Sequence, residues 1–300
     1  MQSCCMKNMF RFIVLLPLFF TIVSCERAIE FSPKETANEL VVEATIENNQ
    51  PPRVILSRSL AFFSTLSLEQ LQSSFVHGAL ISISDGSRTH QLKEYAVGVQ
   101  GYQFFYYTTD SANLGTEVKG QFKTRYDLNI TVDGKSYSAT TTIPALSKTV
   151  DSMWYLPAPD NPDSTKVVVM ARTTDPAGYG NYIRYFTSTN QGPYYPGLTS
   201  VYDDQIVDGT TYNVQIEKGV DRNAEIDFET YSFFTKGDTV DLKLTNIDKA
   251  TYDFWRTMEY SYSGIGNPFS SPTRIIGNIS GGALGYFGGY AVQYRRILIP

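Results

Sequence analysis

Asp-Gly occurs three times in this 300-residue chain, at Asp85-Gly86, Asp133-Gly134 and Asp208-Gly209, and each pair interrupts an extended run. A two-residue turn between antiparallel strands needs positive φ at its central residues, and Asp-Gly supplies this at little cost. The runs "GALISISDGSRTHQLKEY", "YDLNITVDGKSYSATTTIP" and "YDDQIVDGTTYNVQIEKG" therefore read as three hairpins. In the second, Leu128, Ile130 and Val132 share a face before the turn, and Tyr137, Ala139, Thr141 and Ile143 share one after it. Upstream, "LVVEATI" sets Leu40, Val42, Ala44 and Ile46 against Val41, Glu43 and Thr45, the alternation of a half-buried strand. The run "VILS" from Val54 follows the Pro51-Pro52 break as a second strand. Twenty-one Tyr and 18 Phe reinforce the expectation of a mainly β chain.

The stretch "IPALSKTVDSMWYLPAPDNPDST" carries Pro144, Pro157, Pro159 and Pro162 among turn-forming residues, which places a domain junction there. A first β domain is expected over 39–146 and a second over 150–300. The second contains the clearest helix, "DKATYDFWRTMEYSY", over about 249–260 with Asp248 as N-cap. A shorter helix is expected at "LSLEQLQSSF". Near the end, the glycines of "GNISGGALGYFGGYAV" lack the lysine of a phosphate loop, so they are expected to allow tight turns or close backbone approach. The final "VQYRRILIP" reads as a last strand, at an edge guarded by Arg295 and Arg296.

The apolar run from Phe10 to Val23 is shorter than the roughly 20 residues a membrane-spanning helix needs, and Lys7 and Arg11 precede or flank it. That is the form of a secretory leader. Its ending, Ile22-Val23-Ser24-Cys25, resembles the bacterial lipobox, so residues 1–24 are expected to be removed, Cys25 to be lipidated, and 25–38 to form a linker. Cys4 and Cys5 lie in the leader, so no disulfide is expected and the core must hold the fold. The net charge of −5 falls further when Lys7 and Arg11 leave, which argues against nucleic acid as a partner.

Catalytic chemistry finds few residues to work with. Only His77 and His90 are present as imidazole bases, there is no G-x-S-x-G turn, and no free cysteine remains as a nucleophile. Zinc lacks a His/Cys set. Calcium prefers oxygen, which directs attention to Asp160, Asn161 and Asp163 and to Asp203, Asp204 and Asp208. Neither group has EF-hand spacing, and turn chemistry accounts for both, so no metal or other cofactor is expected. Acidic pairs such as Asp203 with Asp204, or Glu225 with Asp227, leave a glycosidase-like hydrolase open. Tyr194 and Tyr195, in the loop "QGPYYPG", are the best candidates for an aromatic contact surface.

The lipobox, "LVVEATI", "VHGALISISDG", "YDLNITVDGKSYSATTTIP", the junction before "DSMWY", and "GNPFSSPTRIIGNISGGALGYFGGY" together resemble a family of Bacteroidota lipoproteins known as domain of unknown function 4249. The resemblance implies an outer-membrane lipoprotein of two β-sandwich domains, immunoglobulin- or fibronectin-like, with a short helix in the second. It also implies a neighbouring SusC-like TonB-dependent receptor, and it supplies no catalytic residue. The leading expectation is thus a non-enzymatic accessory or ligand-binding component of nutrient uptake, taking a glycan or peptide, with Tyr194, Tyr195, Phe269 and Tyr286 as contact residues. A surface hydrolase and a structural envelope lipoprotein are the alternatives. Whether the protein faces the cell surface or the periplasm is open, because only Glu26 and Glu30 follow Cys25 around Arg27.

Overall fold

Fifteen strands and two α-helices carry the fold of the computed structural model, among its described residues 38–60, 67–99, 101–264 and 273–300. The leader, Cys25, most of the linker and Phe269 lie outside them. No described helix is long and apolar enough to cross a membrane.

Alternation builds the first half as expected. Strands β1 (Leu40–Glu47) and β2 (Arg53–Arg58) pair antiparallel. Strands β3 (Leu80–Ser84), β4 (Thr89–Val99), β5 (Tyr102–Thr109), β6 (Thr124–Val132) and β7 (Lys135–Ile143) complete this part of the sheet. Asp133 and Gly134 form a two-residue turn, with φ of 51° and 70°. The first Asp-Gly pair makes a longer connection in which only Gly86 has positive φ and Asp85 Oδ1 accepts the Ser87 and Arg88 amides. The short helix α1 (Leu68–Ser74) begins with a capping box between Ser67 and Gln70.

The second half adds β8 (Thr149–Pro157), β9 (Lys166–Thr174), β10 (Tyr182–Thr189), β11 (Tyr195–Tyr202), β12 (Thr211–Ile216), β13 (Phe234–Thr235), β14 (Thr239–Ile247), helix α2 (Lys249–Ser263) and β15 (Leu284–Leu298). Two sheets result. One has 11 strands in the order β11-β10-β14-β15-β1-β2-β5-β4-β3-β6-β7, and the other places β8, β12 and β13 against β9. The third Asp-Gly pair therefore does not close a hairpin. Gly209 turns with φ of 67°, but β11 before it pairs with β10 in the large sheet and β12 after it pairs with β9 in the small one. A local turn signal reports chain reversal and says nothing about which strand the next segment will join.

The last strand lies inside the strand order, but its exposed Arg295–Arg296 stretch pairs on one side only, with β14, and keeps the open edge expected of it. β15 runs parallel to β1 from Leu284 to Tyr290 and antiparallel to β14 from Tyr290 to Leu298, so it joins the first-half and second-half strands of one sheet. By its contacts Thr36–Pro300 forms one compact unit. Arg295 donates to the Val150 carbonyl, and Arg296 makes a two-pronged ion pair with Asp241. The glycines act by close approach. A Cβ on Gly285 would lie 1.9 Å from the Val42 carbonyl oxygen, and one on Gly289 would lie 2.7 Å from the Thr142 carbonyl oxygen. The far end of the sheet thus returns to β15, where Ser280 also donates its amide to Ser138 of β7.

Three buried clusters meet along β15. Phe287 and Ala291 join Val42, Leu128 and Ile130 of the first half. Tyr286, Tyr290 and Val292 lie with Tyr252 and Phe254 of α2. Ile297 packs against a third cluster in which Val167, Val169 and Ala171 of the small sheet face Leu242 and Leu244 of the large one. Helix α2 starts at Asp248 as expected: Oδ1 accepts the Thr251 amide at 2.9 Å, while Oδ2 accepts Thr141 Oγ1 and the Thr142 amide, each at 2.9 Å. One carboxylate caps the helix and ties it to β7.

Asp248→Ala is expected to cost about 2–3 kcal/mol, the sum of a lost cap and lost charged hydrogen bonds, read as a lower urea midpoint. An unchanged midpoint would refute the dual role. Gly285→Ala combines backbone overlap with a φ of 101° and is expected to cost at least about 3 kcal/mol or to prevent folding; a variant of wild-type stability would show that β1 and β15 do not pack this closely.

Candidate functional site

A cleft of about 1510 Å³ opens in the second half, lined from β10, β11, β12, β14, α2 and the segment 203–228. Its floor is apolar, with Val150, Ile183, Ile216, Leu242 and Leu244 drawn from the core between the two sheets. Its rim is unusual for a water-facing surface. Ile206 is 96% exposed, Phe228 72% and Tyr260 65%, and Tyr202 and Tyr262 are also exposed. Large apolar side chains grouped around a concavity mark a surface suited to a ligand or partner.

Charged groups punctuate this lining. Arg222 donates to the Leu198 carbonyl at 2.8 Å and lies 4.9 Å from the Tyr262 ring centre. Asp203 accepts from the Tyr252 hydroxyl at 3.1 Å, and Glu217 from Tyr231 at 3.3 Å. Glu259 is buried and accepts the Ser200 amide at 3.0 Å and the Ser200 hydroxyl at 2.5 Å. Ser200 Oγ in turn accepts Arg184 Nε at 3.1 Å, and the Arg184 guanidinium lies 3.3 Å from the Trp255 ring centre. A buried cation and a buried anion are thus linked through one hydroxyl, which fixes α2 against β11. Both Glu259 oxygens are engaged there, so this carboxylate serves as a structural tie more readily than as half of an acid/base pair.

Burial is the first cause of the tyrosine shifts around the cleft. It pushes the Tyr202 phenol, assisted by the charges of Glu217 and Glu259, up to about 12, and it raises Tyr185 further. In the first half, burial and Glu94 push Tyr107 up to about 12 against the opposing Ala79 amide.

The residues singled out from sequence fall elsewhere. Tyr194 is exposed and meets Tyr294 edge-on, with ring centres 6.0 Å apart. Tyr195 is half-buried and its hydroxyl contacts Asp221 at 3.3 Å. Tyr286 is 4% exposed and stacks on Phe254 at 4.3 Å, so it supports α2 from inside. None of the three lines the cleft. The histidines are also separate from it. His90 is buried, accepting the Asp110 amide at Nε2 and contacting Thr116 at Nδ1, while His77 contacts Glu94 at 2.5 Å. The cleft residues come from segments spread over more than 100 positions, and only the exposure of Ile206 and Phe228 in the folded chain reveals their grouping.

The family model described as Domain of unknown function (DUF4249) matches residues 26–296. The chain belongs to this family. Comparison with curated proteins gives no match. Family membership agrees with the resemblance read from the motifs between "LVVEATI" and "GALGYFGGY", which lie within the matched region, and its description names no reaction.

A phenol held above its ordinary value of 10 in the folded state stabilises the fold fully below that pH and loses this contribution as the pH rises toward 12. Stability is therefore expected to decline between about pH 10 and 12, with Tyr107, Tyr185 and Tyr202 ionising as near-ultraviolet dichroism is lost. Full phenolate absorbance near pH 10 with the dichroism intact would contradict this.

Proposed function

We propose that this family member is a lipid-anchored outer-membrane protein, held through Cys25, that serves a TonB-dependent uptake system as a non-enzymatic accessory or ligand-binding component. The cleft is its ligand site. The observation that carries the reading is the combination of a large apolar floor with the exposed rim of Ile206, Phe228 and Tyr260. A rim of this kind loses apolar exposure when a ligand covers it, and the few charged groups fix the ligand's orientation.

In this reading the chain forms two β-sandwich-like lobes, 39–146 and 150–300, sharing β15. The sandwich of the second lobe is supported by the facing of Val167 and Val169 with Leu242 and Leu244. Acylation at Cys25 confines the protein to the membrane surface and raises its effective concentration beside a SusC-like receptor, so modest contacts suffice. The exposed Tyr194–Tyr294 pair offers a contact for that receptor, distinct from the cleft. A glycan or peptide fits the cleft's mixture of rings and polar groups.

The test is affinity purification of the tagged chain from gently solubilised outer membranes of its own host. A TonB-dependent receptor is expected in stoichiometric amount, and Cys25→Ala is expected to leave the membrane fraction. The double variant Phe228→Ala/Tyr260→Ala is expected to retain the receptor and to lower uptake at least ~10-fold, as loss of aromatic anchors does elsewhere. Recovery of the chain alone would refute the accessory role. Uptake indifferent to the double variant would refute the assignment of the cleft.

A further inference from the structure

Asp175, Asp204 and Asp208 each bring a carboxylate oxygen to within 4.8 Å of the others. Asp175 follows β9, and Asp204 and Asp208 lie between β11 and β12, so the cluster gathers two connections that are distant in sequence. Asp204 has both oxygens engaged and Asp208 has one. Asp204 accepts the Gly180 amide at 3.1 Å on Oδ1, and on Oδ2 the Asn181 amide at 2.9 Å and side-chain amide at 3.1 Å. Asp208 accepts the Gly178 amide at 2.6 Å. Asp175 differs: it is 2% exposed, its Oδ1 has only the Lys148 ammonium beside it, and its Oδ2 accepts no hydrogen bond. Lys148, 1% exposed, places its ammonium 3.1 Å from Asp175 Oδ1. One positive charge faces three negative ones, and Oδ2 of a buried carboxylate has no donor. Such a group is costly unless something else supplies the missing positive charge.

We propose that this cluster binds a calcium ion. The donors are all carboxylate oxygens, the set that hard cations select over the nitrogen and sulfur ligands preferred by zinc. Oxygens around one calcium, each about 2.3–2.6 Å from it, lie at most about 5 Å apart, which the cluster satisfies. A divalent ion together with Lys148 balances the three carboxylates, and Asp175 Oδ2 gains the partner it lacks. The ion would also tie the turn after β9 to the loop bearing Asp203 and Ile206 of the cleft wall. The site stands on Asp175 and its neighbours whatever the cleft binds.

The experiment uses the full chain, extracted in detergent and stripped with EDTA. Calcium chloride is titrated by calorimetry, and terbium by luminescence, which Tyr179 in the same turn is placed to sensitise. One ion per chain, a higher melting temperature with calcium, and calcium-displaceable terbium emission are expected. Asp208→Asn is expected to weaken binding at least ~10-fold, while Asp163→Asn in another turn leaves it unchanged. A folded wild-type chain that takes up neither ion would overturn the proposal without recourse to any variant. Undiminished calcium binding by Asp208→Asn would overturn it as well.

Discussion

Everything in this fold depends on how closely β15 can approach its neighbours. A 15-residue strand is long for a globular sheet, and this one is shared: within one 11-stranded sheet its first part pairs with β1 of the early strands and its second part with β14 of the later ones. Ordinary side chains would hold the crossing backbones apart. Gly285 and Gly289 remove that obstacle where Val42 and Thr142 come nearest, and Gly288 lets Thr251 of α2 sit against the opposite face. The large rings beside these glycines, Tyr286, Phe287 and Tyr290, then fill both faces of the strand. Small residues set the distance, and aromatic ones supply the buried area that stabilises it.

The helix is the second element on which the candidate site rests. Its N-terminus is fixed by Asp248 to the first half through Thr141 and Thr142, and its middle is fixed to β11 through Glu259 and Ser200. Between those ties, Phe254 and Trp255 pack on Tyr286, and Trp255 donates to the Tyr290 hydroxyl. The polar ties fix direction and the rings fix height. The consequence is a rigid wall from which Tyr260 and Tyr262 project at the cleft's rim.

Local signals in the sequence were legible where local chemistry decides the outcome. The alternation of "LVVEATI", the turn at Asp133-Gly134, the short helix in "LSLEQLQSSF" and the N-cap at Asp248 all appear where residue type and spacing place them. Pairing over long distance was not legible in the same way. The run carrying Arg295 and Arg296 reads as an edge strand, and there it does pair with β14 alone; what its residues do not reveal is that the first part of the same strand pairs with β1, about 240 positions earlier in the chain. The turn at Asp208-Gly209 is real, but the strands beside it separate into different sheets. Tyr286 reads as a loop aromatic among glycines, and the same glycines are what draw it into the core. The aspartate cluster was half visible: Asp204 and Asp208 are adjacent in sequence to a turn, whereas Asp175 and Lys148 arrive from elsewhere, and they change the electrostatics of the group.

The parallel pairing of Val41 with Leu284 has a consequence for how the chain must reach this state. Strand β1 can find β2 early, but its other edge waits for almost the whole polypeptide to become available. Until then, β1 and β14 each present an unfilled edge to a β15 that has not arrived. Contacts of such long range slow folding, because the loop must be closed before the pairing is rewarded. A chain threaded through a membrane from its N-terminus would stay unlocked until its final segment emerged. The central strand acts as the clasp of the molecule, and it is the last strand to be delivered.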